Sequence, residues 1–160
     1  MKRINEVRKE IEKLKNALNV EITISGRKAV IGGDPLDEYE AMIVLEAIEL
    51  GFSVKKALTL KDEVNIFRKI FVKNLTKRKD LWSVRARIVG KEGRTKRAIE
   101  DISGCSVVLS ENTVGIIGPA EKIEEATTAL SNLIRGSKHA NVYRYLERTN
   151  ASRKKNRRIE

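Results

Sequence analysis

Cysteine and histidine occur once each in this sequence, as Cys105 and His139. A single thiol rules out an internal disulfide, and usage this sparse fits a reducing, cytoplasmic setting. One His with one Cys cannot build a usual zinc site. The carboxylates form no recognisable metal-binding set, and no nucleophile stands beside an activating base. The residues therefore argue against an enzyme, and they call for no metal and no cofactor. Cys105 follows Gly104 at a helix-to-strand turn and reads as a small buried residue. Proline is equally scarce. Pro35 and Pro119 are the only two, and each stands where a helix would begin. No secretory segment opens the chain, and no apolar run is long enough to span a bilayer.

What the chain has is positive charge. Lys and Arg number 33 against 22 Asp and Glu, a formal net charge of +11. Such an excess favours a polyanionic partner, nucleic acid first and an anionic membrane surface second. Proteins from hot environments are also rich in Lys, Arg and Glu, but balanced enrichment would not leave so large a surplus. Hydrophobic residues make up 41% of the 160 positions, enough for a core in one ordinary domain or two small ones.

One stretch organises the rest: Ile88-Val89-Gly90-Lys91-Glu92-Gly93-Arg94-Thr95. Glycines let a backbone turn tightly and approach a ligand closely. The helix pattern that follows brings unpaired N–H groups and a partial positive charge at its start. Lys91, Arg94, Lys96 and Arg97 add full charges, and the whole suits a phosphodiester backbone. Two glycines around two polar residues are weak evidence alone, since any tight turn before a helix could use them. The order of elements around them carries more.

Residues 2–19 read as a helix, with Val7, Ile11, Leu14 and Leu18 at helical spacing. Residues 20–25 alternate as a strand, residues 26–28 turn, and residues 29–32 return. Asp34 and Pro35 open an apolar helix that Gly51 stops. Ser53 caps a short piece through Leu58, and the polar residues 61–63 mark a domain boundary. A strand is expected at residues 68–72, then a basic loop over residues 73–80. Residues 80–89 fit both periods: Leu81, Val84 and Ile88 a helix, Val84, Ala86 and Ile88 a strand. Residues 94–103 read as a helix, residues 105–109 and 113–117 as strands. A helix starting at Gly118 and Pro119 is stopped by Gly136. Residues 141–148 form a last short helix, and the basic residues 149–160 a disordered tail. Each half thus runs helix, strand, turn, strand, Pro-started helix, Gly stop. Gly51 and Gly136 lie about 85 positions apart, too far for a solenoid repeat, so the pattern reads as a duplicated domain.

Strand, helix, GxxG, helix, strand, strand, helix is the order of the KH domain, and Arg85-Ala86-Arg87-Ile88-Val89-Gly90-Lys91-Glu92-Gly93-Arg94-Thr95 resembles its signature. That likeness favours helix over residues 80–89. The segment Arg135-Gly136-Ser137-Lys138-His139-Ala140-Asn141-Val142-Tyr143-Arg144-Tyr145-Leu146-Glu147 is similar to the close of archaeal two-KH rRNA-processing proteins. Those proteins are relatives of the eukaryotic partner-of-Nob-one (Dim-two) ribosome assembly factors. Asp34-Pro35-Leu36 and Ile48-Glu49-Leu50-Gly51-Phe52-Ser53 resemble the family's first domain, so the likeness covers roughly residues 20–148. It implies an α+β fold of two tandem type I KH domains (βααββα). The first, residues 1–60, would be incomplete and lack its front strand and GxxG loop. The second, residues 61–148, would carry the loop and a C-terminal helix. Family members usually begin with a complete first domain, so either this one is naturally cut down or its start lies upstream of Met1.

The function so implied is single-stranded RNA binding near the 3′ end of small-subunit rRNA, in rRNA processing and ribosome assembly. Partners would include the rRNA dimethylase, the rRNA endonuclease or initiation factor two. A general KH RNA binder or a translation-associated scaffold contacting initiation factor two is the alternative. Loop amides at Gly90 and Gly93 and the start of the Arg94 helix would hold phosphates. Lys91, Arg94 and Arg97 would add salt-sensitive attraction. Glu92 puts an acid inside the loop. An apolar groove between Ile88, Ile99 and the edge strand near Val107 would take unstacked bases, though ordinary core suits Ile88 and Ile99 equally. Arg87 and Arg144 would extend the footprint. Trp82 reads as a packing residue. Tyr143 and Tyr145 suit helix anchoring better than stacking.

Overall fold

The computed structural model describes residues 2–156. The chain divides into two compact units between Phe67 and Arg68. In the first, helices α1 (Ile4–Lys9) and α2 (Ile11–Leu18) precede strands β1 (Glu21–Ser25) and β2 (Lys28–Gly32). Helix α3 (Pro35–Leu50) and the short α4 (Val54–Ala57) follow, and a 3-10 turn at Leu58–Lys61 ends the run. The single helix expected over residues 2–19 is broken at Glu10, whose φ of −116° leaves the helical region. No glycine or proline marks that break. α1 and α2 each bring a buried apolar pair, Ile4 with Val7 and Leu14 with Leu18, and both helices pack on α3. β1 and β2 form an antiparallel two-stranded sheet in which Glu21 faces Gly32 and Ser25 faces Lys28. Asp34 caps α3 by accepting from the Leu36 N–H at 3.1 Å, with Pro35 in the first turn, as its sequence predicts.

β3 (Asn65–Phe71) leads into the second unit, followed by α5 (Val72–Leu75), α6 (Leu81–Val89), α7 (Arg94–Ser103), β4 (Ser106–Ser110), β5 (Thr113–Pro119), α8 (Ala120–Arg135) and α9 (His139–Asn156). β5 lies in the middle of a three-stranded sheet, between β3 and β4. β4 and β5 pair antiparallel, with Val107 opposite Ile116. Helices α6, α7 and α8 pack on one another and α9 packs on α7 and α8. The core between them holds Val84, Ile88, Ile99, Ile116, Leu130 and Leu133, all fully buried.

One sequence expectation holds here and two change. Residues 80–89 are a helix, because Asp80 accepts from the Trp82 and Ser83 N–H groups (3.0 and 3.3 Å) and caps it. The basic loop at residues 73–80 contains the end of a short helix, α5. The tail expected to be disordered from residue 149 instead continues α9 as far as Asn156. It is held from outside. The Asn150 amide donates to the Ile102 carbonyl at 3.3 Å, and Arg153 forms an ion pair with Glu125 of α8. Arg157 and Arg158 lie outside the described residues.

Candidate nucleic-acid interface

The backbone between α6 and α7 turns back on itself within four residues. Gly90, Glu92 and Gly93 all have positive φ, +74°, +54° and +75°. The Gly93 N–H donates to the Gly90 carbonyl at 3.2 Å, and the Arg94 N–H closes on Lys91. Lys91 and Glu92 are left at an exposed tip. The two glycines are needed for different reasons. A Cβ on Gly90 would lie 2.2 Å from Thr95 Oγ1, whereas one on Gly93 would meet only the Arg97 guanidinium at 4.0 Å. Gly90 therefore permits the loop to fold onto the start of α7, while Gly93 chiefly supplies the left-handed conformation.

Charge surrounds this tip. Arg94 stands 70% exposed and pairs loosely with Glu92 across 3.4 Å. Arg97 reaches back to donate to the Glu92 carbonyl, which braces the turn from below. Lys96 is turned elsewhere. It meets both carboxylate oxygens of Glu100 at 2.9 Å, and Glu100 in turn accepts the Val107 N–H of β4 at 2.7 Å.

Beside the loop lies a cleft of about 940 Å³. Trp82, Arg85, Ala86 and Val89 of α6 form one wall, and Glu111 and Asn112 of the β4–β5 turn face it. Gly90 and Lys91 sit at its end. Lys77, Arg78 and Lys79 are exposed immediately before α6.

The residues predicted for RNA binding are thus sorted by the structure. Gly90, Lys91, Glu92, Gly93, Arg94 and Arg97 come together at the turn. Ile88 and Val107 do not face the cleft. They are 0% and 1% exposed and belong to the core; α6, which carries Ile88, packs against α8. Arg87 donates to the Ser137 carbonyl at 2.6 Å, and its own carbonyl accepts from His139 Nε2 at 2.9 Å. It fastens α6 to the α8–α9 junction. Arg144 is exposed on α9. The sequence reading missed Trp82, which is 77% exposed on the cleft wall and not packed away. Its place, two residues after the Asp80 cap and seven before Val89 on one helical face, was the available signal. Among the described residues no group of three or more His, Cys, Asp or Glu could hold a metal ion, and no helix is long and apolar enough to cross a membrane.

Comparison with known proteins bears on this geometry. The model of the eukaryotic type KH-domain (KH-domain type I), drawn on the second such domain of PNO1, matches residues 66–151. A KH domain-containing protein of Methanocaldococcus jannaschii is 33% identical over 147 residues, covering 89% of this chain and 64% of its own length. The pre-rRNA-processing protein PNO1 of Coccidioides immitis is 38% identical over 117 residues, 71% of this chain and 45% of that protein. The crystal structure of an a/eIF2alpha–aDim2p–rRNA complex from Pyrococcus horikoshii OT3 contains a chain that matches with a TM-score of 0.82 and 36% identity. That match covers 90% of this chain and 84% of the other. The chain spans less than two thirds of the length of these curated relatives.

Proposed function

The chain belongs to the PNO1/Dim2-type family of KH-domain proteins, and from that premise we propose that its second unit binds single-stranded RNA, through the turn at residues 90–93 and the cleft beside it. The observation that carries this reading is the turn itself. Two glycines with positive φ hold an exposed Lys91 tip against the start of α7, next to an open cleft. KH domains clamp the RNA backbone with such a loop and receive unpaired bases beside it. Backbone amides and the helix start favour phosphate. Lys91, Arg94 and Arg97 supply attraction that salt would weaken.

The target that fits best is single-stranded rRNA near the 3′ end of the small subunit, bound during ribosome assembly. A relative named for pre-rRNA processing and a similar chain solved with rRNA and a/eIF2alpha support it. The same complex supports initiation factor two as a protein partner. The rRNA dimethylase and endonuclease remain proposals from family likeness. The role is binding and not catalysis. The first unit reads as a degenerate KH domain without a front strand or GxxG loop. Its β1–β2–α3 succession, parallel in order to β4–β5–α8, and its two-stranded sheet support that reading.

The test is Lys91→Asp combined with Glu92→Asp. Aspartate tolerates the left-handed conformation at position 92, so the fold is retained while two acids occupy the phosphate seat. Affinity for single-stranded RNA at moderate salt should fall about tenfold or more, and the salt slope by about one. Titration curves superimposable on those of the unmodified protein would refute the phosphate-clamp reading.

A further inference from the structure

Trp82 is the only tryptophan in the chain and is 77% exposed on the first turn of α6. It lines the same cleft as Ala86 and Val89, one and two turns further along that face. The backbone N–H of Trp82 is committed to the Asp80 cap, but that bond would form with any residue at this position. The cap therefore gives no reason for an indole here. The surroundings favour one kind of occupant. Lys77, Arg78 and Lys79 are exposed just before the helix, and Arg85 and Lys91 line the cleft together with Trp82. A flat aromatic surface among cations fits a base with its phosphates better than an apolar protein segment.

We propose that Trp82 is a stacking platform for an unpaired base of the strand whose phosphates lie on the turn at residues 90–93. This rests on the RNA-binding reading above and adds a second grip to it. Trp82 and Val89 stand seven residues apart on one helix, about 10.5 Å at helical rise, and Gly90 follows Val89, so the two grips bear on different nucleotides of one strand. Every base has a π-face, so the platform adds affinity and demands a single strand without choosing a sequence. Choice among sequences is left to the cleft floor and to the β4–β5 turn.

Because the chain has one tryptophan, its emission reports this contact directly. The intact protein is titrated with a short single-stranded RNA and, separately, with a blunt duplex of the same sequence, while binding is followed independently by anisotropy of a labelled strand. Single-stranded RNA should quench Trp82 with the midpoint seen by anisotropy, and the duplex should not. Trp82→Ala should weaken single-strand binding about tenfold, within a range of about 5- to 100-fold. Its salt slope should match the unmodified protein, because no phosphate contact is removed. Trp82→Phe, which keeps a ring, should recover most of the affinity and covers the case in which the alanine variant folds poorly. Unchanged emission at saturating RNA would overturn the proposal, as would equal quenching by duplex or undiminished affinity in Trp82→Ala. The proposal would then fall alone if the Lys91→Asp, Glu92→Asp protein still lost binding. If the unmodified protein bound no single-stranded RNA, both readings would fall.

Discussion

At Gly90 a side chain has nowhere to go. Its Cβ would fall 2.2 Å from Thr95 Oγ1 and 2.8 Å from the Thr95 backbone nitrogen, and Thr95 is itself buried. Alanine there would meet two costs at once, the left-handed backbone and an overpacked contact, together about 2–4 kcal/mol. At Gly93 only the backbone cost applies, because the space is open, and about 1 kcal/mol is the expected loss. Gly90→Ala should therefore shift the urea midpoint markedly further than Gly93→Ala. Equal shifts would mean that the loop can move off α7 at little cost, and the turn would not be the rigid seat described above. Glu92 is the unusual member, a non-glycine residue at φ +54°. The Arg97 bond to its carbonyl is the brace that holds it there.

Among the elements, α9 shows what could and could not be read from the sequence. Val142 and Leu146 stand one turn apart, and both are almost fully buried. That spacing was legible as a helix packed by one face. Leu146→Ala should cost about 2–4 kcal/mol in a thermal or denaturant melt, and a loss under 1 kcal/mol would mean that α9 is only loosely attached. The continuation to Asn156 was not legible, because residues 149–156 are nearly all polar and local composition resembles a tail. Contacts distant in sequence, Arg153 with Glu125 and Asn150 with Ile102, hold those turns. α6 is ambiguous by periodicity alone. Val84 and Ile88 satisfy both the helical and the strand period, and only the Asp80 cap and the family likeness separate the two. Which face of α6 would meet the core was also hidden. On the sequence Ile88 suits groove and core equally, and it is core, whereas Trp82 reads as packing and lines the cleft. The glycines are legible as a tight turn before a helix, because that conformation is local.

At the scale of the whole molecule, the proposed function assigns charge and shape different parts in recognition. The net charge of +11 attracts any phosphodiester chain, and that attraction weakens steeply with salt because it comes from counterion release. Under that reading it would bring RNA to the surface without telling one sequence from another. On the RNA-binding reading proposed above, discrimination would come from the cleft, whose contacts would be short-range and little screened. The two contributions are separable by experiment. A short single-stranded oligonucleotide copying the 3′ end of small-subunit rRNA should displace a labelled copy of itself better than a scrambled oligonucleotide of equal length and composition. As salt rises, both affinities should fall together, since both strands carry the same phosphates. The ratio between them should hold, because the cleft contacts that set it release few ions. If the ratio collapses to one as salt rises, the preference was electrostatic, arising from strand shape on a basic surface. If the two oligonucleotides compete equally at every salt concentration, the protein is a general single-strand binder, and any preference for the rRNA end would have to come from a protein partner.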